Sequence, residues 1–149
     1  MAEPFTLDLP DGRPYGDGRV MWIIDPPVDP YEDGYVRKAR VEIRADGLEA
    51  HTTVTLDPAP GPGNLEEFFT GLAADWRGWT GQRRWRALEG GMTIEAWHDG
   101  RAHVLLAVTI KRPQLTHAED AWSARVVFTM EAGEQLTAIA RDLASVLAE

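Results

Sequence analysis

With 149 residues and no cysteine, the chain has room for one hydrophobic core and excludes disulfides, thiolate metal sites and cysteine nucleophiles outright. Its formal charge of −9 is unevenly spread: residues 1–34 hold eight acids (Glu3, Asp8, Asp11, Asp17, Asp25, Asp29, Glu32, Asp33) against Arg13 and Arg19, a net of −6, whereas residues 75–86 set four arginines against Asp75, a net of +3. Such a molecule repels phosphate polymers at long range and attracts a basic partner, so nucleic acid is not the expected ligand.

The opening MAEPFTLDLPDGRPYG has neither a basic leader nor a run of apolar residues. The longest apolar run, around Val104 to Val108, falls far below the roughly 20 residues of a membrane span. A cytoplasmic protein without membrane contact is the expectation. Arginine far outnumbers lysine beside abundant Ala, Gly and Pro, as in G+C-rich coding sequence, which weakens a functional reading of any single arginine.

Strands are predicted over residues 5–9 and 19–25. The acidic stretch DPYEDG, Asp29 to Gly34, has the outline of a calcium loop but fails as one. Tyr31 sits where an oxygen ligand belongs, and the twelfth position is Arg40 rather than glutamate. Strands 35–45 and 48–56 then flank an Asp46-Gly47 turn. Apolar positions are odd before it (Val41, Ile43) and even after it (Leu48, Val54), so opposed residues sum to an odd number. That parity requires a two-residue loop, expected as type I′, and sets Glu42 opposite His51 and Arg44 opposite Glu49.

The segment DPAPGPGN reads as a loop. Asn64 followed by Glu67 has the form of a capping box, and Leu65, Phe68, Phe69, Leu72 and Trp76 recur at helical spacing, giving a helix over about 65–77 that Gly78 ends. Trp76, Trp79 and Trp85 are expected to wedge this helix against the sheet, with the interleaved arginines facing outward. Strands follow at 83–88, 92–98, 102–111 and 121–130. Around Asp99-Gly100 the apolar positions are even on both sides. A three-residue loop, His98 to Gly100 with Gly100 left-handed, satisfies that parity and pairs Trp97 with Arg101 and Glu95 with His103. A last helix from about 132 carries Leu136, Ile139, Leu143 and Val146 on one stripe, with Glu131 and Glu134 at its positive end.

No repeat of 20–50 residues is visible. The expected architecture is α+β: one curved, mainly antiparallel sheet of seven to eight strands with two helices packed on one face, in a single domain. One sheet face is then dry beneath the helices and the other is free.

Catalytic constellations are not found. The two serines, Ser123 and Ser145, lie outside any nucleophile elbow, and GPGN lacks the lysine of a phosphate loop. The histidines at 51, 98, 103 and 117 show no metal-binding spacing, so no metal or other cofactor is expected. What remains is a candidate binding face bearing Glu42, His51, Glu95, Trp97, Arg101 and His103. On that face the Glu42–His51 and Glu95–His103 pairs could shuttle protons if a pocket enclosed them. The preferred reading is a non-enzymatic binding protein. A small-molecule binder or hydrolase using the Glu/His pairs is the alternative, and nucleic-acid binding through the Trp/Arg segment 75–86 ranks below both.

The run W-R-G-W-T-G-Q-R-R-W, then E-G-G-M-T-I-E-A-W-H-D-G-R-A-H-V, a strand bearing Trp122 and a closing G-E-Q-L-T-A-I-A helix together resemble a family of uncharacterised actinobacterial proteins of this length. The resemblance covers most of residues 35–149 and implies no activity. The layout is also similar to that of small immunity proteins, which neutralise secreted toxins. That likeness implies a toxin as partner, and the acidic charge of residues 1–34 implies a basic one.

Overall fold

The computed structural model describes residues 3–14, 16–113 and 119–148, and for Pro113 the backbone only; His117 lies outside them. Eight strands and two helices follow in the order β1 (Phe5–Pro10), β2 (Arg19–Ile24), β3 (Arg37–Ala45), β4 (Leu48–Leu56), α1 (Leu65–Ala74), β5 (Gln82–Arg86), β6 (Met92–His98), β7 (His103–Pro113), β8 (Asp120–Glu131) and α2 (Glu134–Leu147). The α+β class and the antiparallel pairing are as expected from the sequence. The single sheet is not: the strands form two four-stranded meanders, β1-β2-β3-β4 and β5-β6-β7-β8.

The division has a local cause. After Leu56 the chain runs through Pro58, Pro60 and Pro62, which have no N–H to extend a ladder, and then turns into α1. Among the described residues β4 then meets the second half through one isolated bridge, Thr55 to Leu88, two residues past the end of β5. Each meander is followed by one helix, so the same ββββα order occurs twice. The two helices pack on each other, and α2 also meets β8 and β1.

One core serves both halves. Strand alternation turns Trp22, Ile43 and Val54 of the first sheet and Trp85, Ile94, Leu106 and Phe128 of the second inward. Phe69 of α1 stands 5.9 Å from the ring of Trp22, which packs edge-on against Phe5 at 5.2 Å. Trp85 is the joint between the halves. Its ring is buried and its Nε1 donates to the Gly63 carbonyl at 3.0 Å, tying β5 to the approach of α1. Burying a ring of that size is worth roughly 4–6 kcal/mol of gross transfer free energy.

Helix α1 starts as its capping signal requires, with the Asn64 side chain accepting the Glu67 N–H at 3.0 Å. The reciprocal half of the box does not form, because the Glu67 carboxylate accepts the Gly61 N–H instead. The helix ends at Ala74, three residues earlier than predicted. In α2 the Glu131 carboxylate accepts the Glu134 N–H at 3.1 Å, which places its charge at the positive end of the dipole.

The first hairpin has the predicted register, with Glu42 opposite His51 and Arg44 opposite Glu49 across a two-residue loop. Its turn is not type I′, which needs positive φ at both loop residues. Gly47 has φ 78, but Asp46 is not among the residues with positive φ. In the second hairpin parity holds and register does not. Trp97 lies opposite Leu105 and Glu95 opposite Ala107, rather than Arg101 and His103. The Asp99 carboxylate explains the longer loop, since its Oδ1 accepts both the Arg101 N–H (2.7 Å) and the His103 N–H (3.1 Å). Gly100 is left-handed as expected, with φ 79.

Candidate functional site

The outer face of the first sheet answers its own charges. Arg40, Glu42 and Arg44 project from β3 on the side away from the core, and Glu42 is only 3% exposed despite facing outward. Its carboxylate takes the Arg40 guanidinium at 2.9 Å and a hydrogen bond from Arg44 Nε. Burial pushes the Glu42 carboxyl up, but hydrogen bonds from Arg44 and Arg40 outweigh it and hold the group below the ordinary glutamate value. His51 stands directly across and is exposed, yet both carboxylate oxygens opposite it are already occupied. Arg19 pairs with Asp8 at 2.8 Å, and Arg13 with Asp46 at 3.2 Å.

The outer face of the second sheet is organised differently. Register places Gln82, Trp97, Leu105 and Thr129 in one row across the four strands; the next holds Arg84, Glu95, Ala107 and Val127, and the third Arg86, Thr93, Thr109 and Arg125. Leu105 is 43% and Val127 41% exposed, and Trp97 is half-buried beside them. Ala107 is fully buried but lies outside the core cluster, so the side chains around it on this face are what cover it. Glu95 accepts a hydrogen bond from Gln82 Nε2 at 2.7 Å. Arg84, Arg86 and Arg125 are exposed and make no ion pair among the described residues.

Arg101 is thus not on this platform with Trp97, whereas His103 is on it, one row beyond Leu105 and opposite Glu131. Arg101 lies in the β6–β7 loop, and His103, the first residue of β7, has its Nδ1 3.5 Å from Asp99. Hydrogen bonds from the Arg101 and His103 N–H groups hold the Asp99 carboxyl below the usual carboxylate range. The proposed Glu95–His103 proton-shuttling pair does not form.

The tryptophan and arginine segment divides in three. Trp85 is core, as expected. Trp79 is half-buried, edge-on to His98 at 5.3 Å, with the Arg83 guanidinium 4.8 Å from its centre and Arg83 paired to Asp75 at 2.7 Å. Trp76 is not a wedge: α1 stops before it and leaves its ring exposed beneath Arg77 at 4.9 Å. His98 fixes this connection. Its Nδ1 accepts the Gly100 N–H at 2.9 Å, which leaves Nε2 as the donor to the Trp76 carbonyl at 2.8 Å. Arg77 and Arg83 are engaged by neighbouring rings, whereas Arg84 and Arg86 belong to the second sheet's outer face. The segment is therefore not one continuous basic aromatic surface.

A third surface is the β2–β3 connection. Val28 and Lys38 exchange two backbone hydrogen bonds at 2.8 Å, Asp29 Oδ2 accepts the Gly34 N–H at 2.8 Å, and Asp33 accepts the Tyr35 N–H at 3.1 Å. On this pinned frame Tyr31 is 68% and Tyr35 79% exposed, next to Glu32 and Asp33. Sequence reasoning registered the acids, and Tyr31 only as a residue that spoils a calcium loop, but not Tyr35, nor Leu105, Ala107 and Val127. The available signal was apolar residues at consecutive positions, Val104 to Val108 and Val126 to Phe128, which puts apolar side chains on both faces of a strand.

A cleft of about 230 Å³ opens between the start of α1 and the end of α2, lined by Arg37, Leu56, Asp57, Leu65, Glu66 and Leu147 among others. Burial raises the Glu66 carboxyl there, against the opposing charge of Arg37. None of Glu42, His51, Glu95 or His103 lines it. No helix among the described residues is long and apolar enough to cross a membrane.

Residues 23–149 match the model of a family of unknown function, DUF6228, and the chain belongs to that family. No curated protein and no solved structure matches it.

Proposed function

We propose that this member of the DUF6228 family is a non-enzymatic binding protein that meets a basic protein partner through the β2–β3 loop, and that it acts in the cytoplasm as a toxin-neutralising immunity protein. The observation that carries this reading is the pair Tyr31 and Tyr35, standing clear of the protein beside Glu32 and Asp33 on a hydrogen-bonded frame. Tyrosine offers a large contact area at a small cost in side-chain entropy, and a loop already held in shape loses less freedom on binding. The neighbouring acids steer a cationic surface toward it. An acid–base role is less well supported, because Glu42 is locked between two guanidiniums and Glu95 has no histidine across from it.

Affinity capture at low and high salt tests the reading, with wild type compared to the Tyr31→Ala/Tyr35→Ala double variant. A basic protein held at low salt, released at high salt and lost in the variant is expected. An acidic partner, or retention indifferent to both salt and the tyrosines, would contradict it.

A further inference from the structure

We propose that the outer face of the second sheet is a docking surface for an acidic protein segment bearing apolar side chains. The centre of the face is apolar where solvent calls for polarity. Trp97 and Leu105 are cross-strand neighbours, as are Ala107 and Val127 in the adjoining row. Side chains so paired lie close enough to make one continuous patch. The small Ala107 forms its floor, with Leu105 and Val127 rising beside it into solvent.

The rim gives the patch its sign. Arg84 and Arg86 border it from β5 and Arg125 from β8, and none of the three is committed to an ion pair among the described residues. The acids on this face already have partners: Gln82 holds Glu95, and beyond Leu105 the Glu131 and Asp99 carboxylates accept backbone N–H groups. Three arginines without an ion pair among the described residues, beside acids that are already engaged, stand out on a molecule of formal charge −9. An apolar centre with arginines along its β5 edge and its Arg125 side has the anatomy of a protein-binding hot spot, and a guanidinium suits bidentate contact with a carboxylate.

Charge selects among the occupants. A basic protein would meet three arginines. A second copy would bring three more arginines to the same face. A nucleic acid would bring a long polyanion to a molecule that repels it overall, whereas a short acidic segment meets that repulsion over a few residues only. This inference is independent of the β2–β3 loop, which lies on a different element and carries the opposite charge.

The test uses the intact protein and two synthetic probes: a random glutamate–tyrosine copolymer, which is acidic and partly apolar, and polyglutamate of matched length. Titration should show the copolymer binding at least roughly tenfold tighter than polyglutamate, with backbone amide shifts concentrated at residues 95–97, 105–107 and 125–129. Leu105→Thr/Val127→Thr and, separately, Arg84→Glu/Arg125→Glu should each weaken binding about tenfold or more at unchanged denaturant midpoint. Tyr31→Ala/Tyr35→Ala should leave copolymer binding unchanged, which separates this surface from the loop. Absence of copolymer binding, shifts confined to other residues, or wild-type binding by both double variants would overturn the proposal. A dimer in sedimentation that Leu105→Thr/Val127→Thr dissolves would overturn it as well, by assigning the face to a second copy.

Discussion

Glu42 in the first sheet and Glu95 in the second occupy equivalent situations, each on a strand flanked on both sides and each pointing away from the core. Glu42 has drawn two arginines of its own strand over itself and is buried by them. Glu95 is satisfied by the amide of Gln82, and Arg84, directly across from it, is left without an ion pair among the described residues. The two outer faces thus differ less in which charges they carry than in whether those charges are already used. In an arginine-rich chain it is the unpaired arginines beside exposed apolar groups that mark a surface available to a partner.

The largest expected effect asks whether face and core are separable. Trp85→Ala, at the joint beneath both sheets, should lower unfolding free energy by about 3–5 kcal/mol. Trp97→Ala, on the outer face of the second sheet, should cost no more than about 1 kcal/mol, because its ring is half-buried and lies outside the core. Urea unfolding of both variants measures this, and similar losses would mean that the outer patch is structural.

A smaller effect concerns the closed face. Glu42→Gln should destabilise by about 1 kcal/mol at neutral pH, since Arg40 and Arg44 remain half-exposed and can hydrate. The sign with pH follows from the lowered carboxyl. The charge contributes stability that is fully present above the ordinary value of 4.5 and is lost as pH falls through the lower folded value. Wild type and Glu42→Gln should therefore converge in stability on acidification below that range, and denaturant midpoints across pH show whether they do.

Much of this arrangement was legible in the sequence through parity. Alternation placed all eight strands close to their observed positions and fixed the Glu42–His51 register, because a two-residue loop leaves no freedom once odd positions must face even ones. Parity cannot detect a slip by an even number, and the second hairpin slipped in that way when Asp99 gathered two backbone N–H groups into a wider loop. Trp76 was misplaced because helical spacing continued past Ala74, where the helix stops. The split into two sheets was not legible, because whether β5 returns to pair along β4 is a three-dimensional fact. Of the candidate site residues, Glu42, His51, Glu95, Trp97 and His103 do face away from the core, but the wrong register paired His103 with Glu95 and put Arg101, a loop residue, on the platform.

The contrast between a closed and an open face is tested most directly by paired double-mutant cycles, Glu42 with Arg44 and Glu95 with Arg84, read as changes in unfolding free energy. The account predicts a coupling of roughly 0.5–1 kcal/mol for the first pair and none distinguishable from zero for the second. Equal couplings, or a stronger one between Glu95 and Arg84, would show that the second sheet also spends its charges on itself and has none reserved for another molecule.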